Sequence, residues 1–417
     1  MLKDNNQEEV LDLIVVGAGP AGLFCGMNSS SNGERVLIIE KKRSPGNKLL
    51  VSGSGRCNLT HDGEIKSFFG HYGDHGRFLR SALLSFSNLD LISFFEDRGL
   101  SMTRQEGGKI FPETQRARDV LDILVDECRA KNVDIECGKA VTSISESGNE
   151  FVVASGDETC RSRLLVIATG GRSYPATGST GDGYDFAKAF GHSIAEVGPA
   201  LTPVRIRDYS FSKLAGISLP DAEVSIFRGR KVKEHRGDVL FTHEGLSGPG
   251  ILDISRYIRP GDVLRVSFIR AKKEDLERWL LDRSKEDGAR NLRSVLPNLG
   301  IPARLAARIL EIAGIPQDLK CSQLTRGRRI GLADCLSGFP MITDELEDYD
   351  SAMVTRGGVN LGEVNSKTME SKLVPGLYFA GEVLDVDGDT GGYNLQAAFS
   401  TGFMAARSIR KRLKDHR

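Results

Sequence analysis

Cysteine motifs are missing from this 417-residue chain, although it contains seven cysteines. None of them forms a CxxC pair or a metal-ligand spacing; they stand at positions 25, 57, 128, 137, 160, 321 and 335. Because their number is odd, a framework in which every cysteine is paired within the chain is excluded. We therefore expect reduced thiols, no metal site and no dithiol redox motif.

An excess of charge of one sign is also missing, because 56 Lys and Arg residues balance 56 Asp and Glu residues. Without an overall positive field, we expect neither nucleic acid nor a membrane surface as the main partner. No apolar run approaches the roughly 20 residues that a membrane-spanning helix needs. The polar start lacks the basic and then apolar order of a signal peptide, so the expected location is cytoplasmic.

Glycine, in contrast, is abundant, with 47 residues, and a first cluster follows the strand-like run Leu11–Val16 (LDLIVV). The cluster, GAGPAG, has the GxGxxG pattern. Its first glycine makes a tight turn, its second lets the backbone approach a pyrophosphate and its third lets a helix pack against the strand. The phosphates then face the positive end of the helix dipole. The predicted cofactor contacts are Gly17, Gly19, Pro20, Ala21 and Gly22.

A second strand, Arg35–Ile39, ends at Glu40, where a carboxylate can accept hydrogen bonds from an adenosine ribose. This acid would repel a 2′-phosphate, so NADP is disfavoured at this site. The helix between the strands is expected over residues 20–30, with Asn32-Gly33 as its stop. The whole pattern predicts a dinucleotide-binding unit, with Glu40 and Lys41 as further cofactor contacts.

Two more strand-and-turn segments favour FAD at this site, because a flavin needs contacts along its ribitol and ring. LLVIA ends in Thr169-Gly170-Gly171, and GLYFA ends in Gly381-Glu382, before GGYNLQ opens an apolar helix. A carboxylate after a strand can bind ribitol hydroxyls, and a helix N-terminus can stabilise a reduced flavin. The candidate cofactor contacts are Ala168, Thr169, Gly170, Gly381, Glu382, Gly392, Tyr393, Asn394, Leu395 and Gln396, with Val141 as a further candidate.

A loop of small residues, Ser52–Asn58 (SGSGRCN), is the first candidate for chemistry. Its amides can approach the isoalloxazine, and Arg56 offers a positive charge that would stabilise an anionic reduced ring. For Cys57, a redox role competes with plain packing. Arg56 and Cys57 are thus catalytic candidates, and the cofactor-binding candidates in this region are Lys48, Ser52, Gly53, Gly55, Arg56 and Cys57.

A third catalytic candidate is His243, in the polar segment FTHEGLSGP. A histidine can give or take a substrate proton near neutral pH, and a loop-stabilising role is the alternative. Tyr393 and Asn394 can also face a substrate, although backbone contact with the flavin explains their position equally well.

Several segments spread over nearly the whole chain form a specific combination: Gly17–Gly22, Lys48–Thr60, Gly108–Pro112, Phe241–Gly250, Gly357–Val359 and Phe379–Gly402. In these segments the chain resembles the BaiN/YhiN-type, aminoacetone oxidase-like flavoproteins of the two-dinucleotide-binding-fold superfamily. The resemblance implies an α/β fold in which a Rossmann-like FAD-binding domain is interrupted by a β-barrel-like insert carrying a small helical subdomain. It also implies a small carbonyl or amine substrate and NAD(P)H as a transient electron donor.

Changes of pattern give the expected domain boundaries. The FAD-binding domain takes residues 1–194 and 344–417, the barrel-like insert 195–271 and 326–343, and the helical subdomain 272–325. Before the insert we predict one or two helices over 77–98, a helix over 115–131, and a small separate sheet over 133–153.

We therefore expect an FAD-dependent oxidoreductase that exchanges a hydride between flavin and a small organic substrate, held between the FAD domain and the insert. No second GxGxxG follows a strand, so no separate NAD(P)H domain is predicted. Two alternatives stay open: a tRNA-modifying flavoprotein, which balanced charge disfavours, and a non-catalytic FAD-binding redox sensor.

Overall fold

The computed structural model describes residues 10–30 and 33–415 and divides the chain into two compact units. Unit 1 consists of Met1–Pro199 and Met353–Arg417, and unit 2 of Ala200–Ala352. The predicted helix stop at Asn32 lies outside the described residues.

The strands are β1 Leu11–Val16, β2 Val36–Glu40, β3 Thr60–His61, β4 Met102–Arg104, β5 Lys109–Pro112, β6 Val133–Cys137, β7 Ser143–Ser147, β8 Glu150–Ser155, β9 Glu158–Ile167, β10 Ile194–Ala200, β11 Val204–Ile206, β12 Ser218–Arg228, β13 Arg230–Phe241, β14 Gly245–Ser247, β15 Val263–Ser267, β16 Phe339–Leu346, β17 Val354–Val359 and β18 Leu377–Phe379. The α-helices are α1 Pro20–Ser29, α2 Asn47–Val51, α3 Gly76–Ser85, α4 Asn88–Glu96, α5 Ala117–Ala130, α6 Asp182–Ala189, α7 Pro249–Leu252, α8 Lys273–Glu286, α9 Leu292–Val295, α10 Ala303–Ile312, α11 Arg326–Gly338 and α12 Tyr393–Asp415.

The central sheet of unit 1 has the strand order β6-β2-β1-β9-β8-β7, and β18 pairs with β9. Strand β1 runs parallel to both β2 and β9, and β18 runs parallel to the last residues of β9. Leu13, Ile14 and Val15 of β1 are fully buried, as expected for a central strand with both faces covered. The three predicted strand-and-turn segments therefore do belong to one sheet.

The prediction of a separate small sheet over residues 133–153 is wrong. Strand β6 pairs parallel with β2, and β7, β8 and the first half of β9 form an antiparallel meander on the same sheet. Short alternating strands look alike in sequence whether they form their own sheet or extend an existing one, because only the partner strand distinguishes the two cases.

Helices α1 and α12 pack closely against each other beside the sheet. A Cβ placed on Gly402 of α12 would lie only 2.5 Å from the carbonyl oxygen of Ala21 in α1. In the same pair of helices, Phe24 packs edge-on against Phe399 with ring centroids 5.2 Å apart. The glycine therefore lets the two helices approach at the level of the dinucleotide turn.

Unit 2 contains a closed six-stranded barrel with the order β11-β14-β13-β12-β15-β16. Its strands alternate inward and outward, so that Leu264 and Val266 of β15 are fully buried while Arg265 between them is exposed. The barrel and the helices beside it share one hydrophobic core that is distinct from the core of unit 1.

The helical part of unit 2 extends further than the sequence indicates. Residues 326–338 were expected in the barrel but form helix α11, and breaks occur at Pro297 and Pro302 as predicted. Strand β16 then completes the barrel and includes Asp344, where the sequence predicts that the FAD-binding domain resumes; the chain rejoins the central sheet only at β18.

In the part of the chain that the structure describes, no single helix is both long and apolar enough to cross a membrane. The segments Gly73–Ser85 and Asn88–Glu96, which are separated by a bend, reach that length and apolarity only when they are counted together. Nor do three or more His, Cys, Asp or Glu side chains of the described residues group as metal ligands.

Candidate cofactor and active site

The dinucleotide turn is held together by close backbone contacts. Gly17 has φ +105°, and a Cβ there would lie 2.5 Å from the carbonyl oxygen of Ala168. A Cβ on Gly22 would overlap the carbonyl oxygen of Gly17. These two glycines are therefore required by the protein's own packing between β1, α1 and the end of β9.

Gly19 behaves differently, because a Cβ placed on it would meet no protein atom within 4 Å. It caps helix α1 without a side-chain hydrogen bond, and Pro20 begins the helix. Open space in front of a helix N-terminus with bare backbone suits a pyrophosphate. The geometry of the turn thus fits the dinucleotide part of FAD.

Glu40 lies at the end of β2, beside this turn. Its Oε2 accepts a hydrogen bond from the Ala18 N–H at 2.9 Å, and its Oε1 accepts one from the Lys42 N–H at 2.9 Å. A carboxylate has further lone pairs, so it can still accept from ribose hydroxyls. The Lys139 N–H donates to the Glu40 carbonyl oxygen, which brings the partly buried Val141 segment to the same edge.

Lys41, the other predicted contact at this edge, is paired within the protein. Its Nζ lies 2.6 Å from Oδ2 of Asp182 and also contacts the Thr180 hydroxyl. The side chain therefore ties the end of β2 to the start of α6.

At the end of β9, the Ala168 N–H donates to the Val16 carbonyl oxygen, so this turn lies directly beside β1. Gly170 has φ +76°, which gives the tight exit that the sequence predicts. The Thr169 hydroxyl is buried and has no hydrogen-bond partner among the described residues. An unpartnered hydroxyl next to the dinucleotide turn is consistent with a site completed by a ligand.

Glu382 joins four distant segments. Its Oε2 lies 2.6 Å from Nζ of Lys48, and its Oε1 accepts hydrogen bonds from the Thr355 N–H at 2.8 Å and the Ser173 hydroxyl at 3.1 Å. Lys48 and Glu382 were both predicted as site residues, but Ser173 and Thr355 were missed. No local motif marks these two, since they reach the carboxylate only through the fold.

The Ser52–Asn58 loop has an unusual backbone. Gly53, Ser54, Gly55 and Cys57 all have positive φ, at 55°, 59°, 84° and 62°. Two of these residues carry side chains, and left-handed conformations of such residues persist only where the surroundings hold them. Arg56 is exposed and lies over the Phe111 ring, with its guanidinium carbon 4.7 Å from the centroid. The loop therefore presents a cation on a strained turn.

Cys57 is fully buried, and burial raises the pKa of its thiol to about 12, against a partly opposing hydrogen bond with Ser52. A thiol of this kind is neutral near pH 7, whereas redox cysteines act as thiolates. The packing interpretation of Cys57 therefore has the stronger structural support.

The start of α12 carries an aromatic stack that the sequence does not reveal. The Tyr393 ring lies between two imidazoles: His71 stacks on it at 4.1 Å between centroids with planes 11° apart, and His61 at 5.1 Å with planes 16° apart. The buried Tyr72 hydroxyl donates to the Tyr393 carbonyl oxygen at 2.9 Å. We call Tyr393, His61 and His71 the histidine–tyrosine stack.

One histidine of the stack is paired with a carboxylate. Nδ1 of His71 lies 3.0 Å from Oδ2 of Asp389, and the Asp389 N–H donates to the His71 carbonyl oxygen at 2.8 Å. The Asn394 side chain bonds both the N–H and the carbonyl oxygen of Gly388, which fixes the turn that carries Asp389. The His71 side chain remains 39% exposed, so it can contact a substrate.

Two other predicted contacts at this helix have structural partners. The fully buried Gln396 side chain accepts from the Thr60 hydroxyl and donates to Ser400 and to the Phe86 carbonyl oxygen. It therefore anchors α12 to the neighbouring segments. A Cβ on Gly392 would overlap the backbone of Thr60, so close packing requires this glycine, and Leu395 is partly buried against the core.

The model for the HI0933-like protein Rossmann domain matches residues 11–408. The chain belongs to this family. It is 34% identical over 404 residues to the ribosomal RNA dihydrouridine synthase of Escherichia coli K12, covering 96% of this chain and 98% of that protein. It is 33% identical to the enzyme of the same name from Haemophilus influenzae, covering 95% and 98%. It is 32% identical over 408 residues to the 3-dehydro-bile acid delta(4,6)-reductase of Clostridium scindens, covering 95% and 98%.

The family membership confirms the BaiN/YhiN-type resemblance, the Rossmann-like FAD-binding fold and the assignment as a flavin-dependent oxidoreductase. In this HI0933-like chain, Gly19, Glu40, Glu382 and the start of α12 remain the predicted FAD contacts, and all of them lie in unit 1. His243 belongs to unit 2, in an exposed turn between β13 and β14, where its side chain makes no hydrogen bond or ion pair with the described residues.

Proposed function

We propose that the chain reduces a carbon–carbon double bond conjugated to a carbonyl group, and that this bond belongs to a uracil base of RNA. The relatives' names support the shared chemistry. A dihydrouridine is a uridine that has gained two hydrogens across its 5,6 double bond, and a delta(4,6)-reductase acts on double bonds conjugated to a ring ketone. Both reactions add a hydride to one carbon and a proton to the next.

The observation that carries the proposal is a partly exposed histidine, His71, beside the start of helix α12, where the proposal places the flavin. Bound reduced FAD supplies the hydride. The matching proton needs a side chain that is exposed to substrate and held in one orientation. His71 meets both requirements, because it is partly exposed, stacked on Tyr393 and paired with Asp389. We assign His71 as proton donor and Asp389 as its positioning residue.

Charge around the site supports the same reaction. Hydride addition to the double bond places negative charge on the carbonyl oxygen, which a nearby cation or a set of aligned N–H groups would stabilise. Arg56 is exposed within the Ser52–Asn58 loop, and the N-terminus of α12 contributes its dipole. Lys48 does not contribute free charge, since Glu382 neutralises it.

For the electron donor, we propose NADPH or NADH that visits the flavin and leaves before the substrate binds. Only one GxGxxG follows a strand in this chain, and the FAD dinucleotide occupies that turn in the proposal. A transient donor needs no second dinucleotide fold.

The test uses the FAD-loaded full chain under anaerobic conditions with NADPH or NADH. Ribosomal RNA transcribed in vitro, which carries no dihydrouridine, is incubated with the enzyme, digested to nucleosides and examined by mass spectrometry for a gain of two hydrogens on uridine. A steroid dienone serves as a parallel small substrate. We expect dihydrouridine in the RNA.

Reduction of the dienone without any modified uridine would overturn the RNA assignment and favour a small carbonyl substrate, as in the bile-acid relative. Failure to reduce either compound, with flavin fully bound and reducible by dithionite, would overturn the reductase assignment and favour a redox sensor.

A further inference from the structure

Helix α11 of unit 2 begins with a cluster of cations. Arg326 and Arg328 are exposed and Arg329 is partly exposed. Their side chains form no ion pair or hydrogen bond with any of the described residues; the hydrogen bonds of this turn join backbone groups and the Thr325 hydroxyl. We call these three side chains the α11 arginine cluster.

The cluster lies in a basic part of the chain. Residues 288–333 contain eight Lys and Arg but only two Asp and Glu, although the chain as a whole is balanced. One of the two acids, Glu311, is paired with Arg308 at 2.7 Å. This segment of the chain therefore carries an excess of positive charge that the overall total conceals.

The position of the cluster is unfavourable for the helix itself. The N-terminus of a helix carries partial positive charge and favours acidic side chains, each worth roughly 0.3–1 kcal/mol. Helix α11 has no acidic residue in its first turn and places three arginines there instead. Helix stability alone does not account for this arrangement, whereas an external anion would remove the repulsion.

A second basic segment of unit 2, residues 228–236, has acidic partners for most of its cations. In the β12–β13 hairpin, Arg228 pairs with Asp262 at 2.7 Å and Arg236 with Glu223 at 2.9 Å. Lys231 is also paired, with Glu234. In the hairpin only Arg230 and Lys233 lack an acidic partner, whereas none of the three charges of the α11 arginine cluster has one among the described residues.

We propose that the α11 arginine cluster docks the phosphate backbone of the RNA whose uracil is reduced. This inference rests on the proposed function. Guanidinium groups suit phosphate because they donate two parallel hydrogen bonds to its oxygens. An anionic membrane fits less well, since none of the large apolar side chains that the described structure leaves exposed lies on α9, α10 or α11.

The test compares two variants with the same change of charge. R326Q/R328Q/R329Q removes the cluster. R407Q/K411Q/K414Q removes three exposed cations from the C-terminal part of α12, about 20–30 Å from the histidine–tyrosine stack by helix rise. Binding of in vitro transcribed ribosomal RNA is measured by filter retention over a range of salt, with dihydrouridine formation and dienone reduction measured in parallel.

We expect the cluster variant to bind RNA about tenfold or more weakly, with a salt-dependence slope smaller by about 2–3, while the control variant binds like the unmodified chain. Flavin content and dienone reduction should not change, and the melting temperature should stay equal or rise because helix-dipole repulsion is relieved.

Unchanged RNA binding in the cluster variant would overturn the inference, and so would an equal loss in both variants, which indicates a general charge effect. Loss of binding to phosphatidylserine vesicles with RNA binding intact would also overturn it in favour of a membrane surface. Dihydrouridine formation by the unmodified chain tests the proposed function separately: if that activity is present and the variant retains it fully, only the docking inference fails.

Discussion

At the scale of single residues, glycines with the same sequence signature have different physical roles. Gly22 has no room for a side chain because the Gly17 carbonyl oxygen occupies the space, whereas Gly19 faces open space. The sequence pattern assigns both to the dinucleotide turn. Only the distances separate the glycine needed for folding from the glycine needed for the ligand.

Gly19→Ala should therefore keep the stability of the flavin-free protein but bind FAD more weakly, by about tenfold or more, since its Cβ would enter the pyrophosphate position. Gly22→Ala should lower the melting temperature of the flavin-free protein itself. Circular dichroism melts and quenching of FAD fluorescence measure the two effects. Equal FAD affinity in Gly19→Ala would contradict the placement of the pyrophosphate.

His71→Gln should lower kcat for double-bond reduction by roughly 100-fold, as expected for loss of a general acid. Asp389→Asn should lower it less and change the pH profile of kcat, because the carboxylate acts through the imidazole. His75→Gln is the matched control, since this histidine lies 3.7 Å from Asp385 and outside the histidine–tyrosine stack. Flavin reduction by NADPH should be normal in all three, and a similar loss of kcat in the control would argue against His71 as proton donor.

At the scale of elements, buried polar side chains connect segments far apart in sequence. His192 follows α6 and is fully buried, with Nε2 2.8 Å from the Ser371 hydroxyl and Nδ1 3.3 Å from Oε2 of Glu363. Burial lowers the pKa of His192. Burial alone would raise the pKa of Glu363, but hydrogen bonds from Ser193 and the charge of His192 hold it below its ordinary value.

Both shifts make the protein less stable in acid. A histidine whose folded pKa lies below its unfolded value of about 6.5 contributes stability above that pH, which is lost as the unfolded chain takes up the proton. The melting temperature should therefore fall as the pH decreases from 7 to 5.5, and the melting temperature of His192→Gln should fall less steeply over the same range. Parallel curves for the two proteins would show that another group controls acid stability.

At the scale of the whole molecule, the two units have separate hydrophobic cores. The residues that fit FAD, from Gly19 to Glu382 and α12, all belong to unit 1. A ligand stabilises only the part of a protein whose folding creates its site.

Calorimetry should therefore resolve two unfolding transitions, and added FAD should raise the temperature of one of them. The variant Gly19→Ala should reduce that shift and leave the other transition unchanged. A single transition that moves as a whole with FAD would show that the two units unfold together.

Net charge is the whole-molecule property that gave the least guidance about partners. Balanced totals favoured a chain without nucleic acid, yet two relatives over nearly the full length are named as ribosomal RNA dihydrouridine synthases. A total cannot show where charges lie or which are paired, and only pairing distances distinguish the α11 arginine cluster from the largely paired β12–β13 hairpin.

The sequence by itself determined the dinucleotide turn, the central strands, the FAD-binding fold and the helical breaks at Pro297 and Pro302, because these depend on local turns and on periodic burial. Tertiary structure decided which strands share a sheet, the partners of Glu382 and the histidine–tyrosine stack. Lys48 and Glu382 are 334 positions apart, and Tyr72 and Tyr393 are 321 apart. No local pattern records contacts over such separations, since they form only when the whole chain has packed.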